Sequence, residues 1–406
     1  MKVAVINCGS SSIKYEVFDA GDFSMIATGL IEKIGSSEGR LRQKRRKADG
    51  SLEEQIHEKP LADHREAFNL MSEVNRHDRI IKDNAELLGI GHRVVHGGET
   101  FQEPALITGE VISAIRTLIP LAPLHNPSNL LGIEAAQEQF GGVPQVAVFD
   151  TAFHHTLPPR AYRYALPHEL YEKHHVRKYG FHGSSHGYVA KEAASYLGKP
   201  LPEMNLIILH LGNGASAAAV QAGRSIDTSM GLTPLEGLVM GTRSGDIDPS
   251  IPFYLMRQAG MKPEDAENLL NRESGLKGVC GVSDMREILE RTAKGEQRAE
   301  LAVDMFCYRI KKYIGAYYAV LGRLDAVVFT GGIGENASAI RQRACEGLKH
   351  LGISVDVGKN NAGREGVAEI QQEGFPVKVL VVHTNEEREI AQETISTIEK
   401  GKTRNG

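Results

Sequence analysis

Residues 3–6 of this chain are four consecutive apolar positions, and Ile13-Lys14-Tyr15-Glu16-Val17-Phe18 alternates apolar with polar. Between them lies Asn7-Cys8-Gly9-Ser10-Ser11-Ser12. The pattern predicts a buried strand, a tight Gly/Ser turn and a half-buried strand. Period-two alternation continues around residues 25–34 and 40–56. The spacing turns helical over 61–86, 110–118 and 127–139, while apolar runs at 89–95 and 145–149 predict strands, the second ending at Asp150.

The second half repeats the opening. Residues 206–209 are apolar, Gly212-Asn213-Gly214 is a turn, and 215–220 form a strand of small side chains. Strand, glycine turn and strand thus occur twice, each copy followed by helices, which predicts an internal duplication of fold. Residues 299–322 give the longest helix, with Val303, Phe306, Ile310, Ile314, Tyr317 and Leu321 as one core-facing stripe. A strand at 325–329, a helix from 337, a strand at 377–382 and a helix at 386–399 complete the pattern. The class is α/β with mixed sheets. No low-complexity linker divides the chain. The boundary falls near Asp150, giving an expected first domain of 1–150 plus a returning C-terminal segment 385–406, and a second of 151–384.

Composition narrows the function. Of 406 residues, 41% are apolar and 24% charged, and 47 Lys plus Arg against 51 Asp plus Glu leave a net charge of −4. Such a chain has no global field for nucleic acid or an acidic membrane, so any anion site is local. Cys8, Cys280, Cys307 and Cys345 lie far apart without a Cys-x-x-Cys pair, which argues against zinc and disulfides and fits a reducing cytoplasm. The first residues turn polar after four apolar positions, too few for a signal-peptide core. No run approaches the roughly 20 apolar residues of a membrane span.

Three Gly-rich turns, each directly after an apolar strand, carry the chemistry: residues 7–12, 212–214 and 331–334. Backbone amides in such turns can face anionic oxygen, and glycine admits a close approach. Ser10 and Ser12 add hydroxyls, and Lys14 a positive charge. No Gly-x-x-x-x-Gly-Lys-Ser/Thr or Gly-x-Gly-x-x-Gly motif competes. Phosphate binding in a duplicated actin-like (ribonuclease H-like) fold, with a nucleotide cleft between its domains, is the expectation. Histidine, arginine and carboxylate are dense in segments read as loops: Gly91-His92-Arg93, Leu124-His125, Asp150 to His154, Phe181-His182 and Thr242-Arg243. The histidines among them suggest a metal cluster only if they converge, which one sequence does not show, and they are not read as one. The basic run at 40–47 lacks interleaved aromatics and reads as a solvated edge.

The ordered set Asn7-Cys8-Gly9-Ser10-Ser11-Ser12-Ile13-Lys14, Arg93-Val94-Val95-His96-Gly97-Gly98, Phe149-Asp150-Thr151-Ala152-Phe153-His154, Gly180-Phe181-His182-Gly183, His210-Leu211-Gly212-Asn213-Gly214-Ala215-Ser216, Gly241-Thr242-Arg243-Ser244-Gly245-Asp246 and Gly332-Ile333-Gly334-Glu335-Asn336 resembles the acetate kinase family. That resemblance implies the acetate and sugar kinase/Hsp70/actin superfamily, a homodimer, and ATP + acetate ⇌ ADP + acetyl phosphate. It implies ATP/ADP as co-substrate and Mg²⁺, replaceable by Mn²⁺, on Asn7 and Glu386. It gives Arg93 and Arg243 the acetate and the transferring phosphoryl group, His182 the equatorial oxygens, His125 a weaker helping role, and Asp150 an essential acidic role, read here as orienting an arginine or a metal-bound water. It places the phosphates on Ser10, Ser12, Lys14 and the His210–Gly214 turn, and the adenosine against Asp284, Met285, Arg286 and the turn at 332–336. Val95, Leu124, Phe181 and Pro234 match a small methyl pocket. A propionate kinase of the same family, an ATPase switch and a sugar kinase are the alternatives.

Overall fold

A computed structural model describes residues 1–47, 49–363 and 366–404. The chain divides into two compact units, Met1–Ala152 with Asn385–Gly406, and Phe153–Thr384.

The strands of the first unit are β1 (Lys2–Cys8), β2 (Ser12–Asp19), β3 (Met25–Glu32), β4 (Arg40–Arg46), β5 (Leu52–Glu58), β6 (Leu87–Val94), β7 (Ala105–Leu106) and β8 (Gln145–Phe149). They pair in the order β5-β4-β3-β2-β1-β6-β8-β7. β1 and β2 form an antiparallel hairpin from Lys2↔Asp19 to Cys8↔Ile13, closed where Gly9 N–H donates to Ser12 O at 2.8 Å. β6 and β8 run parallel to β1. The second unit contains β9 (Asn205–Leu211), β10 (Ala215–Gln221), β11 (Arg224–Thr228), β12 (Ala326–Thr330), β13 (Val367–Glu369) and β14 (Lys378–Val382), ordered β11-β10-β9-β12-β14-β13.

Set side by side, β3-β2-β1-β6-β8-β7 and β11-β10-β9-β12-β14-β13 have the same sense at every pairing: two antiparallel, two parallel, one antiparallel. The duplication expected from the two glycine turns extends to whole sheets. The first sheet adds β4 and β5. The basic run therefore lies one strand inside the edge, where Arg40, Arg42 and Arg45 pair with Glu58, Glu54 and Glu53 of β5. Its outer face is solvated, as alternation requires, but β5 forms the edge.

Both faces of the parallel strands are covered in each sheet, which explains their nearly continuous apolar runs. In the first unit Phe68, Leu70, Met71 and Val74 of the helix His64–His77 cover one face, and Ile390, Ala391, Ile395 and Ile398 of the helix Glu386–Arg404 the other. Gly89 and Gly91 on β6 face the latter helix. A Cβ at Gly91 would meet Thr394 Oγ1 at 2.3 Å and Ile390 Cγ2 at 2.8 Å, so only glycine lets helix and strand approach this closely. In the second unit the helix Gly183–Tyr196 packs its alanines and Val189 on β9, β10, β12 and β14. The longest helix, Gln297–Leu321, buries all six residues of its predicted stripe. Residues 250–293 add four further helices, Ser250–Ala259, Pro263–Arg272, Gly275–Cys280 and Met285–Ala293, outside the strand–helix alternation.

Candidate active site

The strand expected over 89–95 is β6, and Arg93 lies on it, one residue from its end, rather than in the loop that the polar cluster around it suggested. Neighbouring parallel strands bring like faces together. Ile6 pairs with His92 and Arg93 with Val148, so Asn7, Arg93 and Asp150 share one sheet face at the carboxyl ends of β1, β6 and β8. This is where open α/β sheets hold ligands. Asn7 stands opposite Lys14 across the hairpin, on that same face.

The first turn of Glu386–Arg404 sits over these residues. Arg93 donates from Nε to Asp150 Oδ1 at 2.9 Å and from Nη2 to Oδ2 at 2.7 Å, a fork-to-carboxylate pair. Its Nη2 also lies 3.9 Å from Glu386 Oε2. Lys14 pairs with Glu387 and lies 3.4 Å from Glu16. Burial alone would lower the Arg93 pKa, but Asp150, Glu386 and Glu387 raise it above the ordinary arginine value. Glu386 is raised by burial and by the charges of Asp150 and Glu387, against the opposing pull of Arg93. Glu16 is raised by burial and by Glu387.

Four carboxylates (Glu16, Asp150, Glu386, Glu387) face two cations (Lys14, Arg93), so among the described residues of this network the acidic groups outnumber their cationic partners by two. That excess matches a divalent ion, and the hard oxygen donors of Asn7 and Glu386 suit magnesium. Among the described residues no group of three His, Cys, Asp or Glu is arranged as a metal-binding cluster. Two protein ligands and several waters are what a magnesium site of this kind needs.

Asn129 donates to Cys8 O at 2.9 Å and accepts from Val95 N–H at 3.0 Å, while Asn126 exchanges hydrogen bonds with the His96 backbone. The first turn of Asn126–Gln139 thus pins the 95–96 segment, and His125 occupies its N-cap position. Ser10 is exposed and Ser12 half-buried at the hairpin tip.

In the second unit His182 sits at the N-cap of Gly183–Tyr196 with φ +58°, a left-handed conformation that is uncommon outside glycine and marks functional turns. Its ring stacks on His210, with centroids 4.4 Å apart. His182 Nδ1 is 2.9 Å from Ser216 Oγ, and Ser185 Oγ is 2.8 Å from His210 Nδ1. Arg243 reaches the same place: a Cβ at Gly214 would stand 3.4 Å from His182 Nε2 and 3.5 Å from Arg243 Nη1. The Arg243 guanidinium makes only long contacts, 3.4 Å to Pro234 O and 3.9 Å to Met240 Sδ, and has no carboxylate partner among the described residues. Burial lowers its pKa, yet an arginine stays charged. Among the described residues this half-buried cation thus stands beside two imidazole rings and a glycine turn with no counter-ion.

A cavity of about 730 Å³ opens beside the Gly212 turn. Gly212, Asn213, Asp284, Met285, Arg286, Gly332, Ile333 and Asn336 line it, together with Ser283, Leu289 and Ala337, which sequence did not single out. Asp284 caps the helix Met285–Ala293 and is held down to about 2 by hydrogen bonds from the Arg286 side chain and backbone. Gly334 and Glu335 do not line the cavity. Glu335 instead accepts from Gly331 N–H at 2.9 Å and Thr384 N–H at 3.0 Å, tying the turn to the segment after β14. Gly331 (φ +75°) approaches the Leu211 backbone so closely that a Cβ would lie 2.8 Å from its carbonyl oxygen. Leu211 and Gly214 likewise lie outside the lining, at the foot of the turn.

Of the methyl-pocket residues, Val95 and Leu124 belong to the first unit and Phe181 and Pro234 to the second. Phe181 is buried and Leu124 is 50% exposed. Sequence reasoning passed over Glu16, Ser185, Ser216 and His186. Ser216 had a signal: it is the lone hydroxyl in Ala215-Ser216-Ala217-Ala218-Ala219.

Two mixed sheets that share a six-strand order, each carrying polar groups at its carboxyl ends, define a duplicated actin-like α/β protein with a cavity of about 730 Å³ in its second unit. The model of the Acetokinase family matches residues 2–392. An acetate kinase from Syntrophobacter fumaroxidans is 56% identical over 401 residues, 98% of each chain. The crystal structure of Porphyromonas gingivalis acetate kinase superposes with a TM-score of 0.92 at 44% identity, over 98% of this chain and 99% of that one. A propionate kinase from Francisella tularensis gives 0.91 at 42% identity, over 97% and 99%. The chain belongs to the acetate kinase family.

Proposed function

We propose that this chain catalyses ATP + acetate ⇌ ADP + acetyl phosphate by direct, in-line phosphoryl transfer. The observation that carries the reading is Arg243: a charged, half-buried guanidinium with no carboxylate partner among the described residues, beside His182 and the Gly212–Gly214 turn.

Acetate is already ionised at neutral pH, so no base has to deprotonate the acceptor. The barrier is the approach of a carboxylate to a polyanionic phosphate, which positive charge and alignment lower. In this reading Arg243 takes the transferring phosphoryl group, and Arg93, held by Asp150, takes the acetate. Asp150 fixes the arginine fork and transfers no proton. Asn7 and Glu386 would hold Mg²⁺. When bound, that ion supplies charge neutralisation of the nucleotide phosphates. Ser10, Ser12 and Lys14 meet phosphate oxygens, His210 and the turn after it do the same, and the adenosine occupies the 730 Å³ cavity. His182 donates to the equatorial oxygens, with His125 in a supporting part. Val95, Leu124, Phe181 and Pro234 receive the methyl group.

The kinship with a propionate kinase supports propionate as a second substrate. One methylene in an apolar pocket is worth only about 1–3 kcal/mol. Leu301, Met305 and Tyr308, exposed at helical spacing on Gln297–Leu321, support a homodimer. The four unpaired, buried cysteines support a cytoplasmic setting, and among the described residues no helix is long and apolar enough to cross a membrane. Coupled measurement of ADP release tests the proposal. Turnover should require acetate and fall from acetate to propionate to butyrate. Hydrolysis of ATP without a carboxylate would support an ATPase switch, and turnover with glucose a sugar kinase.

A further inference from the structure

His182, Ser216 and His186 form a hydrogen-bonded chain inside the second unit. Ser216 Oγ lies 2.9 Å from His182 Nδ1 and 2.7 Å from His186 Nε2. Ser216 is on β10 and His186 one turn along Gly183–Tyr196, and both are wholly buried.

Counting protons leaves one arrangement. His186 Nδ1 is buried and has no hydrogen-bond partner among the described residues. A proton there would leave a buried N–H without an acceptor, a rarer and costlier orphan than a bare ring nitrogen. The proton is therefore on Nε2, and His186 donates to Ser216. A serine hydroxyl has one proton to give. Were His182 Nδ1 also a donor, that hydroxyl proton would have no acceptor, because among the described residues Ser216 Oγ has only these two contacts. Ser216 thus donates to His182 Nδ1. With Nδ1 used as an acceptor, neutral His182 carries its proton on Nε2, the atom turned toward Gly214 and Arg243 Nη1.

We propose that Ser216 and His186 are positioning residues that set the tautomer of His182, so that it presents an N–H rather than a lone pair beside Arg243. The assignment rests on the phosphoryl-transfer reading for its purpose. A lone pair there would repel the anionic oxygens that Arg243 attracts, whereas an N–H adds a donor aimed at them. Burial holds His186 far below its ordinary pKa, with the charges of His154 and His210 adding to the effect, which keeps the donor ring neutral. The left-handed backbone of His182 and its stacking on His210 fix the plane of the ring.

The test is ¹⁵N–¹H correlation of the full chain labelled at histidine, at pH 8, with His182 assigned by its loss in His182→Gln. The account expects a protonated Nε2 and a bare Nδ1 on His182 in the unaltered protein, and a proton on Nδ1 overturns it. That spectrum decides even where a variant does not fold. Ser216→Ala should give mixed tautomers and about a tenfold lower kcat, with the KM for acetate and for ATP within about twofold. His186→Gln keeps an amide N–H at the place of Nε2 and should retain tautomer and kcat, while His186→Phe should lose both. Unchanged tautomer and kcat in Ser216→Ala and His186→Phe would also overturn it. Absence of acyl phosphate formation by a protein that shows the expected tautomer would instead overturn the functional reading.

Discussion

Arg93 meets Asp150 along the whole edge of its guanidinium: Nε donates at 2.9 Å to Oδ1 and Nη2 at 2.7 Å to Oδ2, and the carboxylate is 2% exposed. Arg243, in the second unit, has no such anchor among the described residues. One fork is pre-oriented with its charge already balanced; the other has no carboxylate against it among the described residues.

The contrast predicts separable kinetic roles. Arg93→Ala should raise the acetate KM at least about tenfold while leaving the ATP KM within about twofold, because it removes binding made in the ground state. Arg93→Lys should recover little, since a single ammonium cannot span both Asp150 and a carboxylate substrate. Steady-state kinetics with each substrate varied in turn checks this.

For Arg243→Ala the loss should fall on kcat, by about 10²–10³, as for removal of a donor that acts on transition-state charge. Both KM values should stay within a few-fold of the parent.

The excess of two negative charges around Glu386 predicts a strict divalent-ion requirement. Chelation with EDTA should abolish turnover and Mg²⁺ restore it. Glu386→Gln removes one of the uncompensated charges and should raise the Mg²⁺ concentration for half-maximal rate by about tenfold or more. Unaltered Mg²⁺ dependence in that variant would remove Glu386 from the site.

Acid should destabilise the fold through two buried histidines. His92, hydrogen-bonded to Gln145 at 2.8 Å, is pushed down to about 4 by burial, and His186 lies well below the ordinary 6.5. Below about 6.5 the unfolded chain protonates both rings while the folded chain does not, so protons favour the unfolded state. Stability is therefore intact above about pH 7 and falls as pH drops toward 4. Urea titrations across that range should show the decline, and His92→Gln should flatten it.

Gly91→Ala should cost about 1–3 kcal/mol, because the added methyl strikes Thr394 and Ile390 of the covering helix. A melting temperature equal to the parent's would show that the helix stands off the strand.

Much of the fold could be read from periodicity. Residues 145–149 coincide with β8, and the stripe from Val303 to Leu321 is wholly buried. Residues 250–293 could not be read this way: their helices are short, and the 285–293 helix shows only Met285 and Ile288 buried. The glycine turns marked where ligands belong, since a turn after an apolar strand leaves a local signature. Pairings did not, because Arg93 and Asp150 are 57 residues apart and meet through the register of β6 and β8. Glu16 was invisible for a similar reason: it looks like an ordinary strand residue until its neighbours across the sheet are known.

The most direct test of the central claim is hydroxylamine trapping of acyl phosphate from the purified chain with MgATP and acetate, run beside Arg243→Ala. The account predicts acetate-dependent acetohydroxamate in step with ADP, reduced at least about a hundredfold in the variant. ADP formed without hydroxamate, or equal yields from both proteins, would contradict it.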